Sequence, residues 1–463
     1  MPETSNPILS RWRQVVSERG TDPALVAPDG AVLRTFGEMD RETDQWADRL
    51  AAADPSGGTV ALQLGQAPEW PMVLLAAWRL GRTVVLFDPE RTGERRESTE
   101  ALCGVTLRIR KSAAGPTLLP LKRSPASWTS GAPDLLKLTS GTSGEVRAIR
   151  FTAAQLLADC EAVCDTMGIR EGDRNYGVIS FAHSYGFSNL ITPLLCRGVS
   201  LVVAGDLIPR AVLDGLEKSR ATVFPAVPAL FRSLAGFQPP PMPLRLCVSA
   251  GASLPVAVAR EFRANWGRKV HSFYGSSECG GICYDAGDDP DPPAGFVGPA
   301  MKDVQISRVS ADDPSLIAVR SPAVGTGYHP EGPDDALVNG VYRPADLLTQ
   351  TAVGYVLTGR LLGVINVAGR KVHPHEIEQV VRLCPGVREV AVIGLPAAAR
   401  GEDVAACVAG DLSIETLRTH CGNHLPSWQV PRWWKIVDAL PVNVRGKTSR
   451  DAVAALFSEG SGS

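Results

Sequence analysis

The chain has no long apolar run. Its most apolar stretch, Trp70 to Phe87, is interrupted by Arg79 and Arg82, whereas a membrane-spanning helix needs roughly 18 or more apolar residues in succession. No spanning segment is therefore expected. A basic block is also lacking: 47 Lys+Arg stand against 49 Asp+Glu, a formal charge of −2, with the positive residues scattered in short pairs. This excludes the electrostatic footprint of a dedicated binder of nucleic acid or anionic membrane and points to small molecules or another protein as partners. The ten cysteines include no CxxC pair, which speaks for reduced, buried thiols and against a zinc or disulfide framework. Met1-Pro2-Glu3-Thr4-Ser5 carries an acidic residue and no apolar core segment precedes Arg11, so no secretory signal is read and the protein is expected in the cytoplasm.

What the chain does have is material for a large core. It is 463 residues long, 44% hydrophobic and 21% charged, room for two to four domains at roughly 100–200 residues each. Apolar, β-branched runs alternate with helical patterns: Thr59–Leu64, then an amphipathic stretch around Met72–Leu80, then Thr83–Phe87. Such alternation is the mark of βαβ units and a parallel sheet. Thr152 is placed to cap a helix whose Leu156, Cys160, Val163, Cys164 and Met167 share one face. Strands are expected at Tyr176–Phe181, Ser200–Val203, Thr222–Phe224 and Leu244–Val248. Past Gly359-Arg360 the pattern changes to a compact unit with a helix near Glu376–Leu383 and strands near Val390–Ile393 and Val404–Val408. The expected class is α/β, with a large N-terminal domain of mixed and parallel sheets over residues 1–361 and a small, mobile α+β domain over 362–463.

The clearest local signal is Leu138-Thr139-Ser140-Gly141-Thr142-Ser143-Gly144. Glycines let backbone N–H groups approach an anion closely and hydroxyls add donors, so the loop suits phosphate. GxxxxGK[ST] is absent, so it is not a Walker loop, and taken alone such a stretch is equally a flexible turn.

Further segments stand in a telling order. Thr139–Gly144 is followed by Ser249-Ala250-Gly251-Ala252-Ser253-Leu254-Pro255, Tyr274-Gly275-Ser276-Ser277-Glu278, Asp346, Gly359-Arg360, Gly369–Glu378, and Pro441 with Gly446-Lys447. Over residues 135 to 450 this series resembles the adenylate-forming, AMP-binding superfamily: acyl- and aryl-CoA synthetases, the adenylation domains of peptide synthetases, and firefly luciferase. The resemblance implies ATP-dependent activation of a carboxylate to an acyl-adenylate with release of pyrophosphate, then transfer to a thiol, of coenzyme A or of a carrier protein's phosphopantetheine arm. It further implies that Thr139–Gly144 holds the β- and γ-phosphates and that Glu278 helps bind Mg²⁺. Tyr274 would stack on adenine against Gly251 and Ala252, with Ser253, Gly275, Ser276 and Ser277 beside the nucleotide. Asp346 would hold the ribose hydroxyls, assisted by Arg360. Lys447 would sit between the substrate carboxylate and the α-phosphate, orienting one and stabilising charge on the other.

The acid's pocket is expected at Phe181-Ala182-His183-Ser184-Tyr185-Gly186, with Ser249, Gly275 and Gly280 beside it. His183 is read as a pocket wall and carboxylate gate, counted with Lys447 and Glu278 among the reacting groups. Amino-acid-activating relatives carry an Asp where Ser184 stands, so an aryl or small acyl acid is favoured. Cys279-Gly280-Gly281 removes side-chain bulk and is read as room at the pocket floor. Three departures from the family pattern stand out. The hinge position is Leu362, followed by Gly363, in place of a polar residue; Val146-Arg147-Ala148 replaces Pro-Lys-Gly; and Pro344-Ala345 precedes Asp346 where Thr-Gly is usual. These leave open a relative that activates nitrite toward an aryl amine and, in another class, a non-catalytic nucleotide-binding homologue. His420 and His424 have a spacing that can bind metal on a helix, but no third ligand is evident and they are read as structural.

Overall fold

The computed structural model describes residues 6–89, 93–128, 131–140, 146–289, 291–310, 313, 315–331, 336–360, 365–367, 370–372, 374–397, 401–442 and 448–458. The chain divides into two compact units. The larger contains residues 1–307, 318–344 and 351–356; the smaller contains 308–317, 345–350 and 357–463.

Two sheets organise the larger unit. In the first, six parallel strands run in the order Val270–Ser276, Leu246–Ser249, Val223–Ala226, Arg174–Gly177, Ser200–Val203, Pro23–Val26, closed at each edge by an antiparallel strand, Gly280–Tyr284 and Val32–Thr35. In the second, Leu135–Ser140, Val84–Leu86, Thr59–Gln63 and Val105–Ser112 are parallel, and Gly115–Pro120, Val146–Phe151 and Gly327–His329 are antiparallel additions. Interior parallel strands are covered on both faces, which is why they read as unbroken apolar runs. Leu246 to Ser249 and Thr59 to Gln63 are buried throughout.

Local chemistry fixes the helices. Ala153–Met167 begins at a capping box in which Thr152 accepts from the Gln155 N–H and Gln155 accepts from the Thr152 N–H at 2.9 Å; it ends at Gly168, whose φ of +63° suits glycine. Phe36–Ala53 starts with a second box, Thr35 with Glu38. Trp70–Arg79 is buried from Trp70 to Trp78, as an all-round apolar helix must be.

One expected strand is shorter than its apolar run. Tyr176–Phe181 reads as extended to its end, but the strand stops at Gly177. There the backbone passes so close to its neighbour that a Cβ would lie 2.6 Å from the Val202 carbonyl. Beyond it the carbonyls of Gly177 and Ile179 accept from the Gln66 side-chain amide at 2.6 and 3.2 Å. A side chain takes the acceptors that a ladder would have used, and the chain turns toward His183.

The smaller unit carries a five-stranded sheet. Gly401–Gly410 pairs antiparallel with Val387–Ala397 and Ile365–Val367, and parallel with Trp433–Val437; Arg370–Val372 extends it. Its alternation serves two cores. Val390, Val392, Val404, Ala406 and Val408 pack with Ile377, Val381, Leu417 and Cys421 from the helices Pro374–Arg382 and Ile414–His424. Ala391, Ile393, Ala405 and Cys407 pack with Val453 from Arg450–Ser458. All ten cysteines are free and buried, in keeping with the sequence reading. No helix among the described residues is long and apolar enough to cross a membrane.

Candidate active site

Four segments singled out from sequence leave the carboxyl ends of parallel strands, where ligands of such sheets bind. The phosphate loop follows Leu135–Ser140, the acid segment follows Arg174–Gly177, Ser249 ends Leu246–Ser249, and Ser276 to Glu278 close Val270–Ser276. Thr139 lies in its strand opposite Arg147. Gly141, Thr142, Ser143 and Gly144 lie outside the described residues, as do Leu362 and Lys447, and the side chain of Ser140 is not described.

Glu278 is an acid of this region whose surroundings disfavour its charge. Burial pushes its carboxyl above the usual 4.5, while hydrogen bonds, among them one from Tyr328, pull the other way. The Tyr328 hydroxyl donates to Glu278 Oε1 at 3.2 Å, and the Glu278 carbonyl accepts from Gly325 N–H at 2.9 Å. The Arg147 guanidinium lies over the Tyr328 ring, 4.1 Å from its centroid. Arg147, Tyr328 and Glu278 thus link the flank of the phosphate loop to the carboxylate expected to meet Mg²⁺. One half-buried carboxylate suits that ion, which is held by one or two carboxylates together with substrate phosphates.

Around it, Ser276 Oγ accepts from Glu278 N–H at 3.2 Å, and Ser277 follows it in the same turn. Gly275 admits no side chain, because a Cβ would lie 2.6 Å from the Gly280 carbonyl. Tyr274 is buried opposite Cys283. Gly251, Ala252 and Ser253 are exposed, and Gly251 has a φ of +87° with only Val227 Cγ1 near its open side.

The acid segment is anchored from several sides. His183 Nε2 is 3.0 Å from Asp88 Oδ2, and the carbonyls of Asp88 and Pro89 accept from the Gln63 amide at 3.0 and 3.2 Å. Ser184 opens a short helix, Ser184–Gly186. The Tyr185 hydroxyl donates to the Val248 carbonyl at 2.8 Å, its ring 5.7 Å from that of Phe273. Phe181 is fully buried, 5.8 Å from the Trp70 ring, so it supports the segment from the core. The Ser249 and Ser180 hydroxyls are buried with no hydrogen-bond partner among the described residues.

Gly280 corrects the reading of an open pocket floor. Its φ is +69°, and a Cβ there would lie 2.0 Å from Asp159 Oδ1. The space vacated by the side chain is filled by a carboxylate, and beside Gly281 it is filled by Met301 and Phe273.

In the smaller unit, Asp346 is buried at the start of Asp346–Thr351, and Arg360 ends Gly354–Arg360. Glu378 accepts from Val392 N–H at 3.0 Å and lies 3.4 Å from Arg450 Nη2, a structural tie. His420 Nε2 is 3.0 Å from the Val380 carbonyl and His424 Nδ1 is 2.7 Å from the His420 carbonyl, so each imidazole is engaged by backbone.

The sequence matches the AMP-binding enzyme family over residues 12–127 and 120–329, and the AMP-binding enzyme C-terminal domain over 376–447. The chain belongs to the AMP-binding enzymes. A long-chain-fatty-acid–CoA ligase, FadD13 of Mycobacterium tuberculosis, is 27% identical, the comparison covering 97% of this chain and 98% of the relative. A feruloyl-CoA synthase from an Amycolatopsis species is 25% identical, over 97% of this chain and 99% of its own. The fold is also that of the anthranilate CoA ligase AuaEII, solved with anthranoyl-AMP, at a TM-score of 0.82 and 20% identity over 98% of both chains. This AMP-binding enzyme is therefore an adenylate-forming ligase of the acid–thiol class, and the likeness begins near residue 12, well before the motifs at Thr139.

Three groups around the enzyme's site escaped the sequence reading. Asp88 follows Val84–Leu86, itself a parallel strand, so the rule that located the phosphate loop locates this residue too. Lys137 was legible as a lysine inside Leu135-Leu136-Lys137-Leu138. Tyr328 has no local signal, because only pairing of Gly327–His329 with Val146–Phe151 brings it near Glu278.

Proposed function

We propose that the protein activates an aryl or small acyl acid with ATP and transfers it to the thiol of coenzyme A or of a carrier protein's phosphopantetheine. A carboxylate oxygen attacks the α-phosphorus, the bond to pyrophosphate breaks, and the electron pair departs with pyrophosphate. The thiolate then attacks the acyl carbon and AMP leaves. The observation that supports adenylation most is the chain of contacts from Thr139's partner Arg147 through Tyr328 to Glu278, at the carboxyl ends of the sheets.

Thr139 to Gly144 bind the phosphates through amides and hydroxyls; Glu278 holds Mg²⁺, which neutralises phosphate charge when bound. Tyr274, Gly251, Ala252, Ser253 and Gly275 to Ser277 receive the adenine side, and Asp346 with Arg360 the ribose. Lys447, in a C-terminal domain from Leu362 onward, orients the carboxylate. The acid preference rests on Ser184, a neutral residue, next to a His183 whose nearby carboxylate, Asp88, is already engaged by the imidazole. Phe181 to Gly186 themselves carry no carboxylate to meet an α-ammonium. Ser249 offers a hydroxyl to a polar substituent. The reaction is placed in the cytoplasm, where ATP and reduced thiols are supplied.

The deciding experiment is acid-dependent ATP–pyrophosphate exchange across aryl, short-chain, fatty and amino acids, followed by thiol transfer. Aryl or short acids are expected to support exchange, and Lys447→Ala to reduce it by about 10²–10³-fold. Exchange supported by nitrite and by no carboxylate would replace this reading with nitrite activation, and an unimpaired Lys447→Ala variant would overturn the mechanism.

A further inference from the structure

Lys137 is 2% exposed. Its strand lies between Val84–Leu86 and Val146–Phe151, and its ammonium sits 4.7 Å from the Phe151 ring centroid and 5.3 Å from that of Phe187. Burial disfavours the charge of this lysine, and the carboxylate acting most strongly to retain it is Asp159, with Glu278 contributing less.

Asp159, 4% exposed, spends its two oxygens on two other segments of the site. Oδ1 accepts from Gly281 N–H at 2.9 Å, at the start of the strand Gly280–Tyr284 that follows Glu278. Oδ2 accepts from the Ser188 hydroxyl, in the π-helical turn Phe187–Ile191 that follows the acid segment. Such turns are wide and often mark functional positions. Phe187 faces Lys137 while its neighbour Ser188 binds Asp159, so the same turn engages both members. The approach of Asp159 is possible only because residue 280 is glycine.

We propose that Lys137 and Asp159 are a buried charge couple that positions three segments of the site against one another: the strand entering the phosphate loop, the strand after Glu278 and the helix after His183. The proposal rests on the reading of Glu278 as a nucleotide-side residue. Lys137 is thus a positioning residue, acting through Asp159. Removing one member of a buried couple leaves an uncompensated charge, whereas removing both charges together is tolerated far better.

The test compares Lys137→Met, Asp159→Asn and the double variant by pyrophosphate exchange with titrated MgATP and by thermal melting. Lys137→Met is expected to lower kcat by about tenfold or more, with the KM for the acid within about twofold of the parent, and to lower the melting temperature; the double variant should recover to within about threefold of wild type. A Lys137→Met variant equal to wild type overturns the couple, as does a double variant no better than Lys137→Met in both readouts. Should Lys137→Met not fold, a double variant that also fails to fold while Asp159→Asn folds overturns it, and one that folds supports it. A wild-type enzyme that exchanges with no acid overturns the proposed function alone, because recovery of the melting temperature in the double variant still decides the couple.

Discussion

The two ends of the parallel strands Arg174–Gly177 and Leu246–Ser249 hold opposite kinds of polar group. Immediately before the strands stand Asp173 and Arg245. Asp173 accepts from Arg170 N–H at 2.9 Å, Thr222 Oγ1 at 2.8 Å and Arg245 Nε at 2.7 Å, with a further bond from Arg245 Nη2. Arg245 also reaches the Gly168 carbonyl at 2.7 Å. Burial alone would raise the Asp173 carboxyl, but the Arg245 side chain and the other donors hold it below the usual 3.8. At and beyond the far ends, the Ser180 and Ser249 hydroxyls lack protein partners among the described residues, and after the neighbouring strand Val270–Ser276 burial lifts Glu278 above its ordinary range. Groups satisfied by the protein hold the sheet together; those with spare hydrogen-bonding capacity are the ones the proposed function gives to a ligand.

Breaking the comparison at the carboxyl ends should give the largest change. Glu278→Gln is expected to reduce pyrophosphate exchange by about 10²–10³-fold while leaving the fold intact or more stable. The folded state prefers the protonated acid, so the ionised carboxylate costs stability at neutral pH. That cost disappears once the pH falls below 4.5, where folded and unfolded states are both protonated. Melting curves at several pH values should therefore show a gain for Glu278→Gln that shrinks with acidification. A variant that lost both stability and activity at neutral pH would contradict the division between the two ends.

The opposite end should respond in stability. Asp173→Asn is expected to cost about 2–3 kcal/mol at neutral pH, measured by denaturant unfolding, with exchange by the folded fraction unchanged. Here the sign reverses. A depressed carboxyl contributes stability above pH 3.8 and loses it as the pH falls through the lower folded value, so wild type and variant should converge in acid. Lost exchange with unchanged stability would show that Asp173 serves the site.

A smaller effect sharpens the acid side. Asp88→Asn should raise the KM for the acid about threefold to tenfold without changing that for MgATP, because the Asp88–His183 contact is partly exposed and partly screened. Equal effects on both substrates would make Asp88 a general support of the site.

Much of this was legible in residue order. Apolar β-branched runs and helical patterns located Ser200–Val203 and the helix capped by Thr152, and the motifs from Thr139 to Lys447 pointed to adenylate formation. What stayed hidden depends on contacts between distant residues. Sequence alone cannot distinguish the end of an apolar run from the end of a strand; Gly177 ends its strand because Gln66, 111 positions away, takes the released carbonyl. Gly280 looked like vacant space because nothing near it in sequence announces Asp159. A lysine in a strand suggests an exposed face, but a strand between two others with both faces covered has none, and Lys137 is buried for that reason.

Part of the acid segment's anchoring runs through main-chain atoms. Gln66 donates to the carbonyls of Gly177 and Ile179, and Tyr185 donates to that of Val248. A carbonyl is the same whatever side chain accompanies it, so these ties are indifferent to the identity at Ser184, whereas Phe181 against Trp70 and His183 against Asp88 are held through their side chains. Position 184 can therefore be varied, with Gln66, Phe181, His183, Tyr185 and Gly186 retained as fixings, and under the proposed function this retunes which acid is chosen while the phosphate-binding side is left alone.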